Sequence, residues 1–285
     1  MKPCLFASDL HGRLDHYEKL FRAIERTRPS AVFLGGDLLP PVHLTNPTGE
    51  AEDFIRDFLG PHLATLRTEL GEYYPRIFVI LGNDDPGFDE AACEALADEQ
   101  LWIYVHARRA DFAQHPVYGY ACVPPTPFLL KDWERYDVSR YVPPGCVSPE
   151  EGYRSVDVDS HVVRHATIRD DLTQLAGDEP MDQAVFLFHT PPYDTALDRA
   201  GLDGKSVDGV PLDLHVGSIA VKRFIHERQP LLTLHGHIHE SARLTGSWRD
   251  RIGHTHLFTA AHDGPELALI LFDLNDLDAA ARWLL

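Results

Sequence analysis

Five short apolar runs, each followed by side chains that can bind a metal, constrain this chain more than any other feature. The runs are Cys4-Leu5-Phe6-Ala7, Ala31-Val32-Phe33-Leu34, Ile77-Phe78-Val79-Ile80-Leu81, Ala184-Val185-Phe186-Leu187-Phe188 and Leu231-Leu232-Thr233-Leu234. Their length and content read as buried strands. After them stand, in order, Asp9 and His11, Asp37, Asn83, His189, and then His237 and His239. Residues two apart in extended or tightly turned backbone point the same way, so His237 and His239 can aim at one region. Imidazole is the commonest neutral metal ligand among side chains. Two imidazoles alone cannot hold a catalytic metal, so the other strand ends must supply the rest.

The stretches between the runs set the architecture. Leu14 to Arg28 carries apolar residues at helical spacing (Leu14, Tyr17, Leu20, Phe21, Ile24) and Pro29 stops it. Glu50 to Leu70 reads as one helix with a possible break at Gly60-Pro61, and Asp89 to Leu101 as another. Further helices are expected within Val156–Leu175 and over Ile219–His226. Trp102–Val105, Val117–Tyr120, Leu257–Thr259 and Leu267–Phe272 read as additional strands, and Thr195 to Val216 as a loop. Helices between strands keep the strands largely parallel and bring their ends to one edge. Open α/β sheets bind ligands beyond those carboxyl ends. The expectation is one α/β domain over residues 1–285. From Val123 to Gly152 six prolines alternate with Phe128, Trp133, Tyr136 and Tyr141, too long and too aromatic for a plain connector. It is either an irregular excursion packed on the surface or a cap that shapes a substrate pocket.

Two carboxylates, four imidazoles and one amide are too many ligands for one ion. They suit two ions sharing a carboxylate, with Asp37 the expected bridge. Mixed oxygen and imidazole ligation favours manganese, iron, nickel, cobalt or zinc over calcium or magnesium, with manganese the first expectation. Cys4, Cys93, Cys122 and Cys146 are scattered and none stands at a strand end, which argues for reduced thiols and against a structural zinc cage. The formal net charge is −18, and such a surface repels long nucleic acids. No secretory leader and no membrane-length apolar window is evident, so a cytoplasmic protein is expected.

Asp9-x-His11, Gly36-Asp37, Gly82-Asn83, His189 and Gly236-His237-x-His239, in that order, resemble the calcineurin-like metallophosphoesterases. The resemblance runs from residue 9 to residue 239, and the Pro/aromatic segment looks like that of bacterial phosphoesterases related to the Icc protein. It implies a four-layer αββα sandwich, two mixed sheets flanked by helices. It implies one ion on Asp9, His11, Asp37 and His239, and a second on Asp37, Asn83, His189 and His237. It also implies hydrolysis of a small phosphomonoester or phosphodiester by a water that bridges both ions, which would sit roughly 3.5–4 Å apart. One position departs from the pattern. The family usually has histidine after Gly-Asn, thought to protonate the leaving group, and here Asp84 stands there. A carboxyl near two cations should lose its proton readily, so Asp84 is expected to be a poor general acid.

A non-catalytic scaffold on the same fold and a nuclease are the rival readings; the full ligand set speaks against the first and the acidic balance against the second. His235 is expected to play a structural role and His262 is a candidate pocket-lining residue. His43, His106, His115, His161, His165, His215, His226, His254 and His256 are expected at the surface. Trp133 and Tyr136 are expected to pack in the ordinary way, with stacking on a base or aryl group as the alternative.

Overall fold

Chain order in the computed structural model, which describes residues 3–41 and 53–285, alternates strands and helices through its first third. It runs β1 (Cys4–Ala7), α1 (Leu14–Thr27), β2 (Ala31–Gly35), α2 (Gly60–Leu70), β3 (Arg76–Ile80), α3 (Glu90–Asp98), β4 (Ile103–Tyr104), β5 (Arg108–Phe112) and β6 (His115–Tyr120). After a long excursion come α4 (Ser160–His165), α5 (Ile168–Ala176), β7 (Val185–Phe188) and a small hairpin of β8 (Ser206–Val207) and β9 (Val210–Pro211). The chain closes with α6 (Ile219–Arg228), β10 (Leu232–His235), α7 (Ser241–Thr245), β11 (Arg249–Ile252), β12 (Thr255–Thr259), β13 (Ala268–Asp273) and β14 (Asp276–Leu284). His43 and most of the Pro40–Gly49 loop lie outside the described residues.

Two six-stranded mixed sheets form a sandwich with helices on its outer faces. One has the order β14-β13-β1-β2-β3-β4 and the other β11-β12-β10-β7-β6-β5. The middle of each is parallel: β1 to β4 in the first, β6, β7, β10 and β12 in the second. The candidate ligands therefore reach a common place from two sheets and not from one open sheet. The inner layer is aromatic, with Phe258 of β12 and Phe272 of β13 meeting across it at 6.0 Å. Outside, Tyr17 of α1 packs on Phe54 and Phe58 at 5.5 and 5.7 Å, and Phe224 of α6 meets Phe186 of β7 at 4.9 Å. Full burial of such a side chain contributes about 1.5–3 kcal/mol relative to exposure, and the partly buried Phe54 and Phe58 contribute less. Among the described residues no helix is long and apolar enough to cross a membrane.

Several local expectations shift. Within the described part of the helix expected from Glu50 to Leu70, a π-helical turn, Phe54–Leu59, runs into α2. Pro61 has no N–H, and the Gly60 N–H reaches back five residues to Ile55 O, so the break becomes a wider turn. The pattern within Val156–Leu175 divides into α4 and α5, because Thr167 is extended and its hydroxyl accepts from Asp170 N at 3.1 Å. The Thr195–Val216 loop contains the β8–β9 hairpin, turned at Asp208-Gly209. Strands β5, β11 and β14 and helix α7 have no counterpart among the expected elements. The three strands lie at sheet edges and carry charged residues, so no apolar run marks them.

Candidate metal centre

All seven candidate side chains come together at the carboxyl ends of β1, β2, β3, β7 and β10. Ligand atoms of Asp9, His11, Asp37 and His239 lie within 4.8 Å of one another, and so do those of Asp37, His189 and His237. Asp37 belongs to both groups. Asn83 joins the second, with its Oδ1 3.0 Å from His189 Nε2.

Backbone geometry makes the convergence possible. Asp9, His11, Asp37 and His237 all adopt left-handed conformations, with φ of 57°, 45°, 52° and 73°. Asp and His enter that region more readily than most residues, yet each such position costs of order 1–3 kcal/mol. The turns are laced together to hold it: Asp9 N donates to Gly36 O, His11 N to Asp37 O and Gly236 N to His189 O, each at 2.9 Å. Gly82 is required by contact. A Cβ there would strike Asp37 Oδ1 and Asp37 N and stand 2.7 Å from His189 Cε1.

Several partners that orient the donors carry no sequence signal. Ser8 Oγ donates to Asp9 Oδ2 at 2.5 Å, and His237 N donates to Asp9 Oδ1 at 2.9 Å. Asp84 N donates to Asp37 Oδ1 at 2.8 Å. The Asp85 side chain, 0% exposed, accepts from Leu38 N, Leu39 N and Gly82 N at 2.8–2.9 Å. It thereby joins the Asp37 turn to the Asn83 turn. Burial, and then the Asp37 charge, push the Asp85 carboxyl up to about 8, against the pull of those N–H groups.

The donor set fits a cation by a simple argument on His189. Its Nδ1 lies 2.8 Å from Gly35 O, and a carbonyl can only accept, so Nδ1 carries the proton. A neutral ring then turns its Nε2 lone pair toward two more acceptors, Asn83 Oδ1 at 3.0 Å and Asp37 Oδ2 at 3.1 Å. Asn83 cannot relieve this by turning over, because its Nδ2 is already given to Asp84 Oδ1 at 2.9 Å. Three acceptors facing one point require a positive charge between them, either a proton or a metal ion. The other group repeats the theme: His11 Nε2 and His239 Nε2 face each other at 3.3 Å, and His239 Nε2 lies 3.4 Å from Asp9 Oδ1.

Proton affinities report the same demand. Burial would lower His189, but the Asp37 carboxylate outweighs it and raises the imidazole to about 10. Burial likewise opposes His239, and its contact with Asp9 raises it to about 9. Burial alone would raise both carboxyls, yet the imidazoles hold Asp9 and Asp37 below the usual carboxylate range. His237 is pushed down to about 3 by burial and then by the His189 charge. In a metal-free chain the two raised imidazoles contribute stability that is complete below about 6.5 and lost as pH rises through about 9 and about 10. A cation must displace those protons. Binding divalent metal at pH 7.5 is therefore expected to release close to two protons per chain, with affinity rising toward alkaline pH. Calorimetry in buffers of different ionisation enthalpy measures it; a heat independent of the buffer would contradict the assignment.

His235 is buried against the strands, with Nδ1 on Thr190 O at 2.9 Å and Nε2 on Thr233 Oγ1 at 2.8 Å, outside both groups. His262 lies 3.1 Å from Glu266 and joins neither group. His106 and His115 are not the surface residues expected. His115 is 1% exposed with Nδ1 on Gln183 O, and His106 Nδ1 accepts from Ala121 N with its ring edge-on to Trp133 at 4.9 Å. Strand pairing covers both, since His106 bridges Gly119 of β6 and His115 opens that strand. Trp133 and Tyr136 are buried and hydrogen-bonded inside the chain.

A sequence model for a family described as calcineurin-like phosphoesterase matches residues 2–241. No curated protein matches the chain significantly. Among solved structures the chain is similar to TT1561 of Thermus thermophilus, at 20% identity and TM-score 0.58 over 99% of this chain and 98% of that one. It is also similar to phosphopantetheinyl hydrolase (PptH) from Mycobacterium tuberculosis, at 14% identity and TM-score 0.52 over 91% of this chain and 89% of that one.

Proposed function

This chain belongs to the calcineurin-like phosphoesterase family, and from that premise we propose that it hydrolyses a small phosphate mono- or diester with two divalent cations. The observation that carries the reading is the position of Asp37 in both ligand groups. In this reading Asp9, His11, Asp37 and His239 hold one cation, and Asp37, Asn83, His189 and His237 the other. The cations, manganese first among the candidates, would supply positive charge to offset the phosphate oxygens and lower the pKa of the attacking water. The chain's part is to fix the donors. His189 is held in one tautomer by Gly35 O, and Asn83 presents its oxygen because Asp84 takes its N–H. Asn83 adds no negative charge, which keeps the centre attractive to an anion.

Asp84 has a role in this geometry other than proton donation. Its side chain is 45% exposed, and its Oδ2 lies 3.9 Å from His11 Nδ1. Burial and then the Asp37 charge raise its carboxyl, but two cations nearby would act the opposite way. Asp84 therefore orients Asn83 and lies beside His11, and the leaving group departs without a strong general acid. Esters with stable leaving groups such as nitrophenolate are the favoured substrates.

A metal-supplemented screen of phosphomonoesters, phosphodiesters and cyclic nucleotides tests the reading. Activity that needs metal, with about two ions per chain by elemental analysis, is the expected result; a chain that binds no metal and cleaves none of them refutes it. Replacing Asp84 with His removes the acceptor on Asn83 for every substrate, so the added acid is read in the ratio: alkyl ester turnover is expected to rise about 100-fold relative to aryl ester turnover, the lower range for an added general acid. Equal effects on both ester types would remove the missing proton donor as an explanation.

A further inference from the structure

The Pro/aromatic excursion grips the back of the Asn83 turn at two adjacent points. Trp133 Nε1 donates to Asp85 O at 2.8 Å, and Gly87 N donates to Asp132 Oδ2 at 2.7 Å. Ser155 closes the clasp: its N donates to Asp132 Oδ1 at 2.9 Å, its Oγ donates to Asp132 Oδ2 at 2.6 Å, and it accepts from Phe88 N at 3.1 Å. Trp133 is 5% exposed and Asp132 8%. The excursion is itself stapled from within. Lys131 and Glu134 are fully buried, with Nζ 2.7 Å from Glu134 Oε2 and 3.0 Å from Thr126 O, while Thr126 N donates to Glu134 Oε2 at 2.9 Å. A buried ion pair is a poor source of net stability, but it enforces one arrangement of the turn it closes. The turn is anchored to the sheet side by Val123 N on Trp133 O at 2.8 Å and Arg135 N on Val123 O at 3.0 Å.

We propose that Trp133 and Asp132 are positioning residues for the Asn83 turn, so that the excursion acts as a brace for one of the two cation positions. The proposal rests on the two-cation reading above for its consequence, though not for its geometry. The Asn83 turn is fixed in front by the Asp85 carboxylate on Leu38 N and Leu39 N, and from behind by Trp133 and Asp132. Among the described residues the ligands that belong to the other group alone, Asp9, His11 and His239, have no such contact with the excursion. The brace therefore acts first on the cation position that includes Asn83, and reaches the other only through the shared Asp37.

Trp133→Phe keeps a ring against His106 and removes the N–H donor along with part of the indole's volume, which Asp132→Asn leaves untouched. Manganese titration of this variant is expected to show the first ion bound as in the parent protein and the second weakened about 10–100-fold, the range for partners that orient ligands. Asp132→Asn, which leaves the ring in place, should give the same split if Trp133→Phe folds poorly. Tyr141→Ala, on the exposed side of the same excursion, should leave both ions unchanged. Unchanged binding in both brace variants, or equal weakening of the two ions, overturns the proposal. A second readout needs no metal. Amide exchange in the metal-free protein should quicken at least about tenfold at Gly87, Leu38 and Leu39 while the strands β1 and β7 keep their protection. If the parent protein binds no ion, the proposed function falls and this measurement still decides the brace: unchanged exchange at those three amides rejects it.

Discussion

Asp37→Asn is expected to bind at most one divalent ion per chain and to lose hydrolytic activity by well over 100-fold, while remaining folded. Asp37 Oδ1 accepts from Asp84 N at 2.8 Å, and the Asn carbonyl oxygen can take over that bond. Its amide then faces His189 Nε2, 3.1 Å from the present Oδ2, and can donate to that nitrogen once it gives up the proton that the Asp37 carboxylate holds there. The metal-free chain therefore exchanges a buried ion pair for a neutral hydrogen bond. What it loses is the one carboxylate common to both groups. Changing a residue that merely orients a ligand costs about 10–100-fold in metal affinity or activity, and removing a shared ligand should exceed that. Elemental analysis, thermal melting and turnover on an aryl phosphate check the three parts together. Two retained ions with turnover within a few-fold of the parent would refute the role of Asp37.

Asp85→Ala is expected to be the most destabilising single change near the centre. Leu38 N, Leu39 N and Gly82 N all donate to this one buried side chain. A buried donor left without a partner costs about 1–3 kcal/mol. Three together cost roughly 3–6 kcal/mol after some rehydration, a large part of the 5–15 kcal/mol typical of a folded domain. At about 2 °C per kcal/mol for a chain of this size, Tm should fall by roughly 6–12 °C. Asp85→Asn keeps an acceptor oxygen and should lose less. A shift below about 2 °C for the Ala variant would mean that water replaces the carboxylate freely and that the two turns do not depend on it.

Much of this was legible in residue order. The β1, β2, β3, β7 and β10 runs are apolar, sit in the middle of their sheets and are buried on both faces, so composition alone marks them. The edge strands were not legible for the opposite reason. β14 reads Asp-Leu-Asp-Ala-Ala-Ala-Arg-Trp-Leu and β5 reads Arg-Arg-Ala-Asp-Phe, and each becomes a strand because a neighbour supplies the hydrogen bonds. Asn83-Asp84-Asp85 shows the limit within the site. Sequence marks three polar residues after a glycine; it does not say that Asp84 is half exposed beside His11 while Asp85 is buried and fastens two turns. Trp133 is similar, since nothing in a proline-rich segment marks the one indole whose N–H reaches Asp85 O.

The sequence by itself determined which donors exist, their order, and that each follows a buried strand, because hydrophobic burial and backbone period act locally along the chain. The tertiary structure brings those donors to one place from two sheets, with Asp37, the bridge expected from residue order, in both groups. It also decided which nitrogen of His189 carries the proton, through a carbonyl 154 residues away. Those outcomes depend on hydrogen bonds between residues far apart in the chain, and spacing along a polymer carries no record of which distant groups will meet.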